Sequence, residues 1–304
     1  MKRWRADLIL LIVALIWGSA FAVQRVAGRS LDPFTFNGLR FLLAGFLLAP
    51  FSGLFRRTNA PELGNTENPK RSGIIYISLA GLLLFGAGGL QQAGLETTTA
   101  GNAGFITSLY VVLVPLVLSV FWKQRLRWSA WAAAGLAVMG SLLLSTGGSF
   151  RLAPGDALEF AGALFWALHV ILVGRVVKRM DVLTFSAGQY LAAGVLNLSA
   201  SLLTRQSWSG LSEAWWTVIY IGVISTALGY TLQVYGQKTA PAADAAILLS
   251  MEAVFAALTG YLFLDEGLTP VQMIGCGVIL GAILLAQIRA DKPDNIPNLM
   301  EVNE

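Results

Sequence analysis

The sequence predicts an all-α membrane protein whose ten transmembrane helices form two inverted repeats of five helices. Two observations predict this fold: the apolar composition of the chain and an internal repeat of its motifs. Of its 304 residues, 56% are hydrophobic and 12% are charged, and the mean hydropathy is +0.66. Soluble domains carry roughly 25% charged residues, so we expect much of this apolar surface to face lipid.

Ten apolar segments are long enough to span a bilayer, which takes about 20 residues. They cover residues 7–25, 33–54, 72–93, 99–122, 128–146, 155–177, 182–204, 214–236, 241–264 and 269–289. Glycine, proline and asparagine mark the connections between them. We expect a first repeat over residues 1–146, a second over 147–290, and a disordered cytoplasmic tail over 291–304, because that tail is polar and contains two prolines.

The first apolar segment follows a basic N-terminus, as in a signal peptide. Its apolar run from Leu8 to Val23 exceeds the roughly 7–15 residues of a signal-peptide core, and no small-residue cleavage site follows it. We therefore expect a first helix that is retained.

Lysine and arginine are unevenly distributed between the two sides that the ten segments define. With a cytoplasmic N-terminus, 16 basic residues fall on the cytoplasmic side and 4 on the other, and Arg40 falls within a segment. The cytoplasmic set is Lys2, Arg3, Arg5, Arg56, Arg57, Lys70, Arg71, Lys123, Arg125, Arg127, Arg175, Lys178, Arg179, Lys238, Arg289 and Lys292. This bias predicts that both termini are cytoplasmic. A nucleic-acid partner is not expected, because the charges are spread over separate short loops.

The chain has one cysteine, Cys276, and one histidine, His169. These are too few for a disulfide framework or a Cys/His metal site. With Glu252 as the central acid, they also do not form a convincing nucleophile–base pair. We expect no cofactor, no metal and no catalytic residues, and a membrane-embedded enzyme is the least favoured class.

The second half of the chain repeats motifs of the first half. At an offset of 149 residues, Trp17 matches Trp166 and Gly45 matches Gly194; after the long polar loop of the first half the offset becomes 142, and Tyr110 matches Glu252. Five spans per half is an odd number, so the halves must lie in opposite orientations. Inverted repeats are frequent in secondary transporters, whose substrate site lies between the repeats near the midplane. Channels and some membrane enzymes also contain duplications.

Several motifs resemble those of the drug/metabolite transporter superfamily, in its EamA-type branch, over nearly the whole chain from Ala14 to about Ala286. The motifs are Trp17-Gly18-Ser19-Ala20-Phe21, Pro33 followed by Arg40-Phe41, and, most specifically, residues 241–281 with Met251-Glu252-Ala253 and Leu264-Asp265-Glu266. One residue departs from the family pattern. Ala253 stands where the family usually has a proline, which puts a kink at that point in question.

The resemblance implies a bacterial inner-membrane exporter of metabolites or drugs that works by alternating access. Its partners are then a small-molecule substrate, the lipid bilayer and, where transport is coupled, protons; the chain is a monomer or a homodimer. No phosphate-binding G-x-x-x-x-G-K-[ST] loop is present, so the energy comes from the proton gradient or from the substrate's own gradient. The alternatives are a channel or a non-transporting membrane protein.

Eight residues form the candidate substrate site, which we expect to be a polar and aromatic cavity inside an apolar shell. They are Trp17, Arg40, Tyr110, Trp166, His169, Tyr230, Gln233 and Glu252.

Glu252 lies near the middle of its segment, where an ionised acid costs about 2.5–3.5 kcal/mol. It either contacts a substrate amine or the coupling proton, or makes a structural hydrogen bond. Arg40 either braces helices or snorkels outward, the structural interpretation that we favour, or binds a substrate carboxylate. A pair between the two residues is compatible with the sequence.

Trp17 and Trp166 lie well inside the hydrocarbon zone, away from the interfaces where tryptophan usually collects. Their indoles either stack on an amphipathic or cationic ligand or pack between helices. His169, three residues after Trp166, is either a hydrogen-bonded structural residue, which we favour, or a proton carrier.

Two expectations concern residues outside this site. We expect Glu159, near the outer end of its segment, to be solvated or to cap the helix. We expect Gly277 and Gly281 to form a close-packing GxxxG face, first within the chain and second between two copies.

Overall fold

The computed structural model describes residues 1–52, 69–98, 100–146, 153–263 and 269–287. These residues form helices and their connections, and no strand occurs among them. The predicted tail at 291–304 lies outside the described residues.

The described residues form thirteen α-helices, a 3₁₀ turn at Ala49–Phe51 and a π-helical segment at Ile221–Tyr230. The α-helices are α1 (Arg3–Ala27), α2 (Pro33–Leu48), α3 (Pro69–Gly94), α4 (Ala100–Ser108), α5 (Tyr110–Trp122), α6 (Trp128–Thr146), α7 (Asp156–Val176), α8 (Val182–Leu203), α9 (Leu211–Tyr220), α10 (Thr231–Gly236), α11 (Ala242–Leu249), α12 (Glu252–Phe263) and α13 (Pro270–Gln287).

Seven helical stretches of the described chain are long and apolar enough to cross a membrane. They are Arg3–Ala27, Pro33–Phe51, Gly73–Gly94, Ala103–Trp122, Asp156–Val176, Leu211–Gly236 and Ala242–Thr259. Two shorter apolar stretches follow in α6 and α13, and α8 has 22 residues but contains the buried amides Gln189 and Asn197. The all-helical membrane fold is confirmed, whereas the count of ten spans stays a prediction.

Two of these stretches are interrupted at equivalent positions of the two halves. The chain breaks at Leu109, between α4 and α5, and at Ser250 and Met251, between α11 and α12. At each break, a serine hydroxyl donates to the carbonyl three residues earlier, from Ser108 to Phe105 and from Ser250 to Ile247, both over 2.7 Å. Such bonds compete with the backbone ladder and bend helices. The second interruption precedes Glu252 although Ala253 replaces the usual proline.

Equivalent helices of the two halves pack against each other. Helix α2 packs along α8, and α6 packs along α13. Helix α7 is equivalent to α1, and both make equivalent contacts. Helix α7 packs on α3, and α1 packs on the π-helical segment and α10, which are equivalent to parts of α3. Helix α7 also packs on α4 and α5, as α1 packs on their equivalents α11 and α12. This pattern is that of two halves related by an approximate twofold axis.

The contact between α2 and α8 is reciprocal. A Cβ atom added to Gly194 would lie 2.7 Å from Cγ of Leu42, and one added to Gly45 would lie 2.7 Å from Cδ2 of Leu191. Each glycine therefore makes room for a leucine of the other half.

The contact between α6 and α13 depends on different glycines from those expected. A Cβ atom on Gly275 would lie 2.6 Å from the carbonyl oxygen of Gly140, and one on Gly140 would lie 2.8 Å from that of Gly275. Gly277 and Gly281 have no atom within 4 Å of such a Cβ. The expected GxxxG packing within the chain is wrong, because these two glycines lie on the outer face of α13.

An ionic cluster joins the two halves at the end of the bundle where α1 begins. Asp244, at the start of α11, pairs with Arg3 of α1 at 2.9 Å and with Arg127, just before α6, at 3.1 Å. Arg3 also pairs with Asp7 at 2.8 Å. Asp244 is buried, so these contacts hold α1, α6 and α11 together at this end.

Substitution of Gly275 by leucine should destabilise the protein, because the side chain would push α13 away from α6. Overpacking of this kind costs about 1–3 kcal/mol. The measurement is the temperature at which the protein in detergent loses its monodisperse peak on size-exclusion chromatography. Gly277→Leu is the matched control on the outer face of the same helix and should leave that temperature nearly unchanged. Equal losses in both variants would contradict the assigned contact.

Candidate functional site

A cavity lies between the two halves of the bundle. Its lining residues are Trp17, Ala20, Phe21, Gln24, Arg40, Gln91, Thr107, Tyr110, Trp166, Val170, Ser225, Tyr230, Gln233 and Glu252. They come from α1, α2, α3, α4, α5, α7, the π-helical segment, α10 and α12. The cavity has a volume of about 30 Å³, which is room for roughly two water molecules in this conformation.

Three aromatic rings form one wall of the cavity. The ring of Tyr230 stacks on Trp166 with centroids 5.6 Å apart and planes at 18°, and it lies 4.6 Å from Trp17 at 49°. Both indole N–H groups have partners in the protein: Trp17 donates to the carbonyl of Ser225 at 3.2 Å, and Trp166 donates to Oε1 of Gln91 at 2.8 Å. These bonds fix the rings, so that apolar and π surface is offered to a ligand.

Glu252 is the first residue of α12, directly after the helix break, and is 2% exposed. Among the described residues, no hydrogen bond of ordinary geometry reaches its Oε1 atom or the hydroxyl of Tyr110. The two groups nevertheless interact with each other, so the hydroxyl of Tyr110 is the polar group that faces this carboxyl. A buried carboxyl with an open oxygen is available to a proton or to a cationic group of a ligand.

Arg40 is 2% exposed and does not snorkel outward. Its Nε donates to Oδ1 of Asn37 at 2.7 Å, and its guanidinium lies 4.6 Å from the ring centroid of Phe41. Among the described residues, no carboxylate lies within ion-pair distance of it, and the salt bridges there do not include an Arg40–Glu252 pair. A buried guanidinium without a carboxylate is suited to bind a planar anion through two parallel hydrogen bonds.

Carboxamide side chains add further polar groups to the cavity. Gln91 and Gln233, which are equivalent at the offset of 142, both line it. Nε2 of Gln233 donates to Oε1 of Gln237 at 3.1 Å, whereas Oε1 of Gln233 has no hydrogen-bond partner among the residues that the structure describes. Gln24 accepts from Nε2 of Gln91 at 3.5 Å. The cavity therefore offers open acceptors beside its aromatic wall.

Seven of the eight candidate residues line this cavity, and His169 lies behind it. Nε2 of His169 is 2.9 Å from Oε1 of Gln189, and its ring packs edge-on against Trp166 and Tyr230 with centroids 6.2 Å away. This position favours a structural role for His169 in holding the two aromatic rings.

The sequence interpretation missed several lining residues, notably Phe21, Thr107 and Ser225. Phe21 is four residues after Trp17, and Thr107 is three residues before Tyr110, so helical spacing could have found both. Ser225 precedes Tyr230 by five residues, a spacing that brings side chains together only in the π-helical register of this segment. No signal in the sequence identifies that register.

The expectation for Glu159 is wrong, because its side chain is fully buried. Its Oε2 accepts from Oγ1 of Thr107 at 3.2 Å, and no described residue forms a hydrogen bond with its Oε1. Neighbouring helices cover this end of α7, which sequence periodicity alone does not indicate.

Comparison with known proteins agrees with this architecture. The EamA-like transporter family matches the chain twice, over residues 4–146 and 153–287. A solved crystal structure with 21% sequence identity has a TM-score of 0.75 and covers 94% of this chain and 98% of its own, so the two share a fold.

Curated relatives are named as transporters. An uncharacterized transporter of Archaeoglobus fulgidus is 31% identical over 95% of this chain and 88% of its own length. The Escherichia coli inner membrane transporter YedA is 26% identical over 92% and 89%. The Escherichia coli threonine/homoserine exporter RhtA is 28% identical over 61% and 63%. With a family match over both halves and such a relative over nearly its full length, the chain belongs to the EamA-like transporter family, within the drug/metabolite transporters.

Proposed function

We propose that this chain is a secondary transporter that exports small amino-acid-like or amphipathic metabolites by alternating access. In this proposal the substrate binds in the central cavity, in contact with Trp17, Arg40, Tyr110, Trp166, Tyr230, Gln233 and Glu252. Residues 1–146 and 147–290 act as the two repeats, and residues 291–304 form a cytoplasmic tail.

The observation that carries the proposal is a pair of opposite, unpaired charges in one cavity. Arg40 comes from the first half and Glu252 from the second, both are buried, and no ion pair joins them among the described residues. Buried charges are costly unless they are compensated. A zwitterion compensates both, with its carboxylate on Arg40 and its ammonium on Glu252, while the aromatic wall contacts its side chain.

The name of one relative supports the same chemical class. RhtA is named a threonine/homoserine exporter. We therefore take L-threonine and L-homoserine as the first substrates to test, followed by amino acids with larger apolar side chains that suit the aromatic wall. A cationic amphipathic compound would use Glu252 and the indole faces without Arg40.

Alternating access requires that one end of the bundle be closed while the other opens. The ionic cluster of Arg3, Asp7, Arg127 and Asp244 supports a closed end in this conformation, since it ties α11 of the second half to α1 and the start of α6 in the first. Opening of that end would separate Asp244 from both arginines. The breaks at Leu109 and Met251 offer places where the helices can bend.

Proteoliposomes that contain the purified protein test the function. Vesicles loaded with unlabelled L-threonine should accumulate external labelled L-threonine by exchange, because a carrier returns with substrate bound. A channel gives no such accumulation, and a non-transporting protein gives no flux. The same assay with L-homoserine, amino acids with larger apolar side chains and cationic amphipathic compounds identifies the substrate class.

Glu252→Gln should reduce net efflux driven by a pH gradient at least tenfold, since a neutral amide can neither take up a coupling proton nor pair with a substrate ammonium. A tenfold loss corresponds to about 1.4 kcal/mol. The measurement is the initial exchange rate together with net efflux driven by an imposed pH gradient. Loss of the gradient-driven efflux with retained exchange assigns Glu252 to the proton, whereas loss of both assigns it to the substrate.

Glu213→Gln is the matched control, because Glu213 is an exposed acid at the start of α9. It should transport at the wild-type rate. If Glu252→Gln supported gradient-driven efflux at the rate of the control, Glu252 would have neither the proposed proton role nor the proposed substrate role.

We further propose that both termini are cytoplasmic in the bacterial inner membrane. Lys178 and Ser209 are exposed and lie beyond the two opposite ends of α8. In a Cys276→Ser background, single cysteines at these two positions should react with reagents from opposite sides of the membrane. A membrane-impermeant maleimide added to intact spheroplasts should label the Ser209 position, and the Lys178 position should label only after permeabilisation. Labelling of both positions in intact spheroplasts would contradict this topology.

A further inference from the structure

Glu159 is a buried acid that the proposed substrate site does not use. It lies one turn into α7, its exposed fraction is 0%, and it does not line the cavity. The surrounding protein encloses it completely, so its carboxyl contacts neither bulk water nor lipid. Its surroundings therefore determine whether it carries a proton.

These surroundings contribute few groups that could stabilise a negative charge. Thr107 of α4 donates to Oε2 at 3.2 Å, and Oε1 has no hydrogen-bond partner in the described part of the chain. Helix α3 contributes Gly94, where an added Cβ would lie 2.8 Å from Oε1 of Glu159, so the carboxyl rests against the helix backbone. No arginine, lysine or histidine forms an ion pair with Glu159 among the described residues.

The ionisable side chain that acts on Glu159 electrostatically is also an acid. Asp156 lies one turn earlier on α7 and interacts with it electrostatically. The carboxylate of Asp156 accepts from the hydroxyl of Thr98 and from the backbone N–H of Ala153, so it has two donors where Glu159 has one. A negative charge on Glu159 would therefore be less compensated by hydrogen-bond donors than one on Asp156. A proton bound to Glu159 removes that buried charge.

Thr107 connects this acid with the cavity. The same side chain lines the cavity and donates to Glu159. A threonine hydroxyl has one proton to donate, so it bonds either an ionised Glu159 or an acceptor of a ligand in the cavity. A ligand that accepts this hydrogen bond removes the donor from Glu159 and so favours proton binding there. By linkage, a bound proton on Glu159 strengthens the binding of that ligand to the same extent.

We propose that Glu159 is a second proton-binding site of the protein, separate from Glu252 and coupled to the central cavity through the hydroxyl of Thr107. This proposal rests on the proposed function in one respect, namely that transport would use the proton bound to Glu159. The proton binding itself is a property of the protein without substrate.

Infrared difference spectroscopy of the purified protein in detergent, recorded against pH, tests the proposal without a ligand. Protonated carboxyls show a C=O stretching band that is distinct from those of carboxylates and amides. The wild type should show a titrating band from a buried acid that is absent in Glu159→Gln and retained in Glu252→Gln. Glu96→Gln, which removes an exposed acid just beyond α3, is the matched control and should retain the band.

The connection to the cavity is tested with Thr107→Val, which keeps the shape and removes the hydroxyl. It should move the midpoint of the Glu159 band by about one pH unit, the size expected for the loss of one hydrogen bond to a charged group. Thr107→Ser keeps the hydroxyl and should restore the wild-type midpoint. Size-exclusion profiles verify that each variant is folded, and Glu159→Asp, which should shift the band, replaces Glu159→Gln where the latter is not folded.

A spectrum of Glu159→Gln that matches the wild type, or no titrating band in the wild type, would overturn the proton site. A midpoint that Thr107→Val leaves unchanged would overturn the connection to the cavity. Because these spectra need no substrate, their failure is distinct from the failure of the exchange assay, which tests the transport function.

Discussion

The reciprocal contact of Leu42 with Gly194 and of Leu191 with Gly45 determines how the two halves fit together. Between helices in a bilayer, the hydrophobic effect supplies little attraction, so association depends on close van der Waals contact. Both leucines and both glycines are related by the same offset of 149 residues, so the same interaction occurs twice. It sets the distance between α2 and α8, and it also sets the position of Arg40, two residues before Leu42.

The symmetry of the helices contrasts with the asymmetry of the chemistry between them. Tyr110 is equivalent to Glu252, and Arg40 is equivalent to Gln189, so each half supplies one charge at a position where the other half is neutral. Gly88 is equivalent to Tyr230; in the first half the missing side chain leaves room for the guanidinium of Arg40, 3.1 Å from an added Cβ, and in the second half the ring builds the aromatic wall. A duplicated scaffold has thereby acquired a cavity with one cationic and one anionic side.

The sequence was sufficient to predict features that depend on composition or on spacing along one helix. Hydropathy predicted the helical membrane fold, and the matched tryptophans and Glu252 predicted where residues of different helices would meet. Features that depend on which helices are neighbours were not predictable. Glu159 is buried because Gly94 and Thr107, on two other helices, enclose it, and Gly275 rather than Gly277 contacts α6 because of the rotation of α13 about its own axis. The π-helical register that brings Ser225 to the cavity likewise results from tertiary packing.

The helix breaks and the cavity depend on each other. An interrupted helix leaves backbone groups without their helical partners, and inside a membrane this is tolerated only where protein covers them or where they border a polar cavity. Both breaks meet this condition, since Tyr110 and Glu252, the first residues after each break, line the cavity. The serine hydroxyls at the breaks donate to the carbonyls of Phe105 and Ile247, which the interrupted backbone ladder leaves open. A continuous α12 would carry Glu252 in the middle of a helix; the break instead places it at a helix N-terminus, where the backbone dipole stabilises a negative charge. The interruption therefore places this acid at the start of a helix and on the cavity wall, rather than within a continuous helix.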